Sequence, residues 1–110
     1  MPVSSIDAVT LNARLGSGEQ PLLLDVREPW EFGIAALAGS RNLPMGHIPA
    51  TVGAWPHGSP EEEIVIICHH GVRSLQVAHF LESAGFKNLV NLEGGIHAWS
   101  QQVDPTMPTY

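Results

Sequence analysis

Cys68 is the only cysteine of this chain, and Arg73 and Ser74 follow it at five and six positions, with Gly71 between. A thiol, a guanidinium and a hydroxyl at that spacing suit one kind of chemistry, attack by a thiolate on a substrate that carries negative charge. Gly71 lets the chain curl so that successive N–H groups point inward, and Arg73 adds a positive charge with a planar donor fork. A nest of this kind stabilises a thiolate, a persulfide or a bound oxyanion. A cysteine beside a helix N-terminus or a cation has its pKa drawn down to about 3.5–7.5. Ser74 can cap the helix that follows or donate to the sulfur. The plain alternative is that Cys68 is a small apolar residue closing a core strand; the Cys-x-x-Gly-x-Arg-Ser context favours chemistry.

Strands and helices must hold these residues in place. Ile64-Val65-Ile66-Ile67 is a β-favouring run that ends at Cys68, so the thiol is expected at a strand's carboxyl end. Leu75, Val77, Ala78, Leu81 and Ala84 then line one face of a helix that Gly85 stops. Leu22 to Val26 reads as a second strand buried on both faces. Asp25 and Arg27 at its end are expected to hold the neighbouring loop through charge-assisted hydrogen bonds, as supporting residues; the alternative for Asp25 is a cap on the short helix that opens at Glu28-Pro29. Ser4, with Asp7 three residues on, is expected to cap a first helix with a stripe of Ile6, Val9, Leu11 and Leu15. Arg41 to Pro44 reads as an edge strand, Met45 to Ile48 as one helical turn, and the segment on to Pro60 as a loop. Glu61-Glu62-Glu63 is a solvated turn, Asn88 to Leu92 a further strand, and Ile96 starts the last helix, with Val103 to Tyr110 as an extended tail. Gly94 and Gly95 permit a tight turn between that strand and helix. This alternation predicts a single α/β domain over residues 1–110, a mostly parallel central sheet with helices on both faces. Ligands bind such sheets at the carboxyl ends of the strands, where Asp25 to Arg27 and Cys68 to Arg73 both fall.

Composition narrows the partners. Five Lys and Arg against eleven Asp and Glu give a net charge of −6 over 110 residues, which gives no support to nucleic acid or an anionic membrane as a partner. One cysteine excludes an internal disulfide and a C-x-x-C pair. No stretch approaches the roughly 18 apolar residues of a membrane span, and Met1-Pro2-Val3-Ser4-Ser5 lacks the regions of a signal peptide. A cytoplasmic protein with a reduced thiol is expected. His69 and His70 can tune the thiolate or shuttle a proton, or else contribute only their backbone N–H groups. His47, His57, His79 and His97 are scattered and read as structural, with no metal and no cofactor expected. Trp30 and Trp55 are candidates for the site entrance, and Trp99 for the core.

Four stretches resemble the rhodanese-like family of sulfurtransferases. They are Leu24-Asp25-Val26-Arg27-Glu28 with Glu31-Phe32, Gly39 to Pro44, Val65 to Ser74, and Leu92 to Trp99. Each is moderately specific, and the four in this order cover nearly the whole chain. The resemblance implies the rhodanese-like fold and a persulfide mechanism. Cys68 would take a sulfur from a small donor anion such as thiosulfate and pass it to cyanide, a thiol or a protein acceptor. The N–H groups of His69, His70, Gly71, Val72, Arg73 and Ser74 would hold sulfur and charge, with Arg73 stabilising the anion. Phosphatases related by fold use a loop one residue longer between cysteine and arginine, so phosphatase or arsenate-reductase activity is the second reading and a non-catalytic binding module the third. Ala35-Ala36 replaces the Gly-His of many relatives, and His69 stands where some thiosulfate-using relatives carry a basic residue.

Overall fold

The computed structural model describes residues 3–51 and 61–110, and a parallel five-stranded sheet runs through its middle. The strands are β1 (Ser4–Ile6), β2 (Leu22–Asp25), β3 (Arg41–Asn42), β4 (Ile64–Ile67) and β5 (Leu89–Leu92), arranged β1-β5-β4-β2-β3. The helices are α1 (Ala8–Gly16), α2 (Pro29–Ile34), α3 (Ile48–Thr51), α4 (Val72–Ser83) and α5 (Gly95–Gln102), with a 3-10 turn over Met45–His47. No helix among the described residues is long and apolar enough to cross a membrane.

The central strand explains why the apolar run of residues 64–67 shows no alternation. Val65 and Ile67 enter a core with Ala8 and Leu11 of α1 and Ile96 and Trp99 of α5. Ile64, Ile66 and Cys68 enter a second core, on the other face, with Val77, Ala78 and Leu81 of α4 and with Ile48. Both faces are covered, so every position must be apolar. β4 is flanked by β2, with Asp25 opposite Ile67, and by β5, with Ile66 opposite Asn91. The carboxyl ends of β2 and β4 therefore lie side by side. β3 is two residues long and ends just before Leu43-Pro44, as an edge strand stopped by proline should.

The first segment corrects the sequence reading. Ser4 does not cap a helix; it begins β1, which pairs with β5 from Ser4 opposite Val90 to Ile6 opposite Leu92. Asp7 is the cap of α1, its carboxylate accepting the Thr10 N–H at 2.7 Å. Asp caps as well as Ser does. A helix begun at Ser4 would leave the β5 edge unpaired and remove Ile6 from the core. Trp55 and His57 lie outside the described residues.

Candidate active site

Cys68 is buried at the end of β4, 1% exposed. Its sulfur accepts the N–H of Gly71 at 3.0 Å. Gly71 takes a positive φ of 98° and is the N-cap of α4, so the chain reverses around the sulfur before the helix starts. A side chain on Gly71 would lie 3.2 Å from the Gly94 nitrogen. The start of α5 closes the loop from the other side. Ile96 N–H donates to the Cys68 carbonyl at 2.8 Å, and His97 N–H to the His69 carbonyl at 3.0 Å. Gly95 makes this approach possible, because a Cβ there would fall 2.3 Å from the Cys68 carbonyl oxygen.

Ser74 and Asn91 form a short relay behind the sulfur. The Ser74 hydroxyl donates to Asn91 Oδ1, and Cys68 Sγ lies 3.3 Å from Ser74 Oγ. Asn91 Nδ2 donates to the Gly71 carbonyl at 3.4 Å, which orients the amide so that its oxygen faces Ser74. With the hydroxyl hydrogen directed at Asn91, Ser74 oxygen is the acceptor for the thiol S–H. To donate to a thiolate or persulfide, Ser74 must turn its hydrogen back to the sulfur.

Arg73 lies in the first turn of α4, where the helix dipole disfavours a cation. Glu31 of α2 compensates. Arg73 Nη1 and Nη2 donate to Glu31 Oε1 and Oε2 at 2.7 and 2.9 Å. The same carboxylate accepts the Glu28 N–H at 2.9 Å and the Tyr110 hydroxyl at 2.9 Å. The Arg73 fork, opposed only in part by burial, holds the Glu31 carboxyl down at about 2, from an ordinary 4.5. The pairing raises Arg73 in turn. Behind Glu31, Arg27 is fully buried. It binds Asp25 through Nε at 2.9 Å and Nη2 at 2.6 Å, the Ala35 carbonyl at 2.6 Å and the Tyr110 oxygen at 2.8 Å. Asp25 and Arg27 thus support α2 and Tyr110, and reach the Cys68 loop through Glu31 and through the Tyr110 ring that lies on His69. Ala35 contributes its carbonyl to this knot, so the bend there is held by Arg27.

The rim of the loop is aromatic. The His69 ring stacks on Tyr110 at 4.1 Å and meets the His70 ring, tilted by 34°, at 4.0 Å. His97 lies 5.0 Å from His70. Burial, then the neighbouring His70, lowers the pKa of His69, which disfavours the charged ring. Trp30 is exposed and meets Tyr110 edge-on at 5.7 Å; it borders the site through that contact.

The structure gathers Cys68, His69, His70, Gly71, Val72, Arg73 and Ser74 in one loop and helix start, although the Val72 side chain faces solvent. Four residues absent from the sequence-based site join them. Asn91 carried one signal, a polar residue inside an apolar strand. Glu31 sits in a quoted motif without a role, Tyr110 in a tail without a pattern, and His97 among the scattered histidines.

This arrangement has counterparts. The family described as "Rhodanese-like domain" matches residues 7–102. The Allochromatium vinosum protein named "Sulfurtransferase" is 35% identical over 90% of this chain and 90% of its own length. The "Rhodanese-like/PpiC domain-containing protein 12, chloroplastic" of Arabidopsis thaliana is 38% identical over 99% of this chain, which spans only 38% of that protein. The crystal structure of a rhodanese-like domain protein from Staphylococcus aureus superposes with a TM-score of 0.79 at 32% identity, covering 88% of this chain and 91% of that one.

Proposed function

Because the chain belongs to the rhodanese-like domain family, we propose that it is a sulfurtransferase that carries sulfur as a persulfide on Cys68. The observation that supports this reading is the buried sulfur of Cys68, held at 3.0 Å by the Gly71 N–H inside a loop of four residues before Arg73. A ring that tight suits a sulfur atom better than a phosphoryl group with its equatorial oxygens.

The Cys68 thiolate attacks the outer sulfur of the donor. With thiosulfate, the donor S–S bond breaks, sulfite leaves with its electron pair, and the new S–S bond forms on Cys68. Cyanide or a thiolate then attacks the outer sulfur and leaves as thiocyanate or a persulfide, restoring the Cys68 thiolate. No net oxidant is required. The second sulfur extends from Sγ toward the loop's N–H groups, with Ser74 able to turn its hydroxyl to it. The chain has no second cysteine, so sulfur passes to an external small thiol, cyanide or protein acceptor.

The donor meets little net positive charge. Arg73 is balanced by Glu31, and burial disfavours a charge on His69. A persulfide donor of low charge fits this site better than dianionic thiosulfate, for which a high KM is expected.

Intact mass spectrometry tests the reading. Incubation with thiosulfate, mercaptopyruvate or a glutathione persulfide should add one sulfur atom to the protein, absent in Cys68→Ser and discharged by cyanide as thiocyanate. Failure of all three donors to load Cys68 would refute it. Cys68-dependent hydrolysis of an aryl phosphate without sulfur loading would favour the phosphatase reading instead.

A further inference from the structure

Three imidazoles converge at the rim of the Cys68 loop. His69 and His70 come from the loop after β4, and His97 from the first turn of α5. One ring nitrogen of each lies within 4.8 Å of those of the other two. The scaffold beneath them is rigid. Backbone hydrogen bonds from Ile96 to Cys68 and from His97 to His69 tie the loop to the helix directly, and Gly95 lets the two backbones approach that closely. Among the described residues, no hydrogen bond occupies the three rings' nitrogens. His70 and His97 are exposed and held only by ring contacts with each other and with His69, while His69 is packed between Tyr110 and His70.

We propose that His69, His70 and His97 form a three-histidine site for a borderline divalent metal ion such as Zn2+, with an open coordination position at the mouth of the Cys68 loop. Neutral imidazole is the ligand such ions take. Metal–nitrogen bonds of about 2.0–2.1 Å place tetrahedral ligand atoms about 3.3 Å apart, so binding requires the two exposed side chains to close in from the present spacing of up to 4.8 Å. Three neutral donors leave the ion its full charge, and a chain of net charge −6 favours a cation. The fourth position is available to water, a thiolate or a sulfur anion. Cys68 is not a ligand here, since its sulfur is buried inside the loop and held by Gly71.

The full chain, stripped with a chelator and kept reduced, is titrated with Zn2+ against a chromophoric chelator and, separately, with Co2+ under visible and near-ultraviolet light. One equivalent of Zn2+ should bind, and His70→Ala and His97→Ala should each weaken binding about ten-fold or more. Cys68→Ser should bind as the unaltered chain does. The Co2+ form should show visible bands without the near-ultraviolet charge-transfer band of a thiolate ligand. Binding that survives both histidine replacements, that is lost in Cys68→Ser, or that is absent at micromolar Zn2+ would overturn the site. Should one histidine variant fail to fold, the other variant and the Co2+ spectrum still decide. Neither readout depends on sulfur transfer.

Discussion

β2 and β4 run side by side, and the polar residues that follow them are treated in opposite ways. At the end of β2, Asp25 and, two residues on, Arg27 are wholly buried and mutually satisfied. Arg27 gives both of its terminal nitrogens and Nε to Asp25, to the carbonyls of Glu31 and Ala35, and to Tyr110. Past β4, the Cys68 sulfur is as deeply buried but meets one backbone N–H and one hydroxyl oxygen. One strand end spends all its hydrogen-bonding capacity on rigidity. The other keeps capacity in reserve, which a sulfur that changes charge and gains an atom requires. The Glu31–Arg73 pair stands between them, anchored to the saturated side and reaching into the reactive one.

The contrast breaks most severely where α5 presses on the Cys68 loop. Gly95→Ala places a Cβ against the Cys68 and His69 carbonyls, and should cost more than about 4 kcal/mol, read by urea denaturation or as insoluble protein. A variant as stable as the parent would mean that the two backbones are not in contact. On the saturated side, Arg27→Met leaves Asp25 buried and unpaired, for an expected loss of about 3–5 kcal/mol. Replacing both Asp25 and Arg27 with apolar residues should recover part of it, because no charge is then stranded.

The bridging pair has a pH signature. Glu31 is about 2 folded against 4.5 for an ordinary glutamate. Its contribution is therefore complete above pH 4.5 and lost as pH falls from there toward 2, roughly 3 kcal/mol in all. Denaturation measured across that window should show the fall, and Glu31→Gln should flatten it. The smallest effect belongs to Tyr110→Phe, which removes one hydroxyl that donates to Glu31 and accepts from Arg27. About 1 kcal/mol is expected by the same denaturation assay, and a null result would detach the tail from the frame.

The parts legible in the sequence are those whose cause is local. β2 and β4 announce themselves because strands covered on both faces leave unbroken apolar runs. The Cys68 loop shows because a glycine that must reverse the chain and an arginine at fixed offset are both close in sequence. The Gly94-Gly95 turn was readable as a turn, but not as a point of contact with Cys68. What stayed hidden is pairing at a distance. Ser4 to Ile6 looks like a helix start until β5 supplies an edge. Asn91 finds Ser74 across 17 residues, Glu31 finds Arg73 across 42, and Tyr110 finds Arg27 across 83. No local pattern marks either partner of such pairs, and the same topology brings His97 to His69.

The position of β5 also sets an order of events. It is the last strand in the chain yet pairs with both β1 and β4, and Ser4 meets Leu89 across 85 residues. A nascent chain can assemble β2, β3 and β4 as they emerge, but β1 has no neighbour until Leu89–Leu92 has been synthesised. Contacts of such separation slow folding. Until then β4 presents a bare edge of four apolar residues, the kind of template on which chains aggregate. Pairing of β5 with β1 and β4 is therefore the step of longest sequence separation in building the sheet.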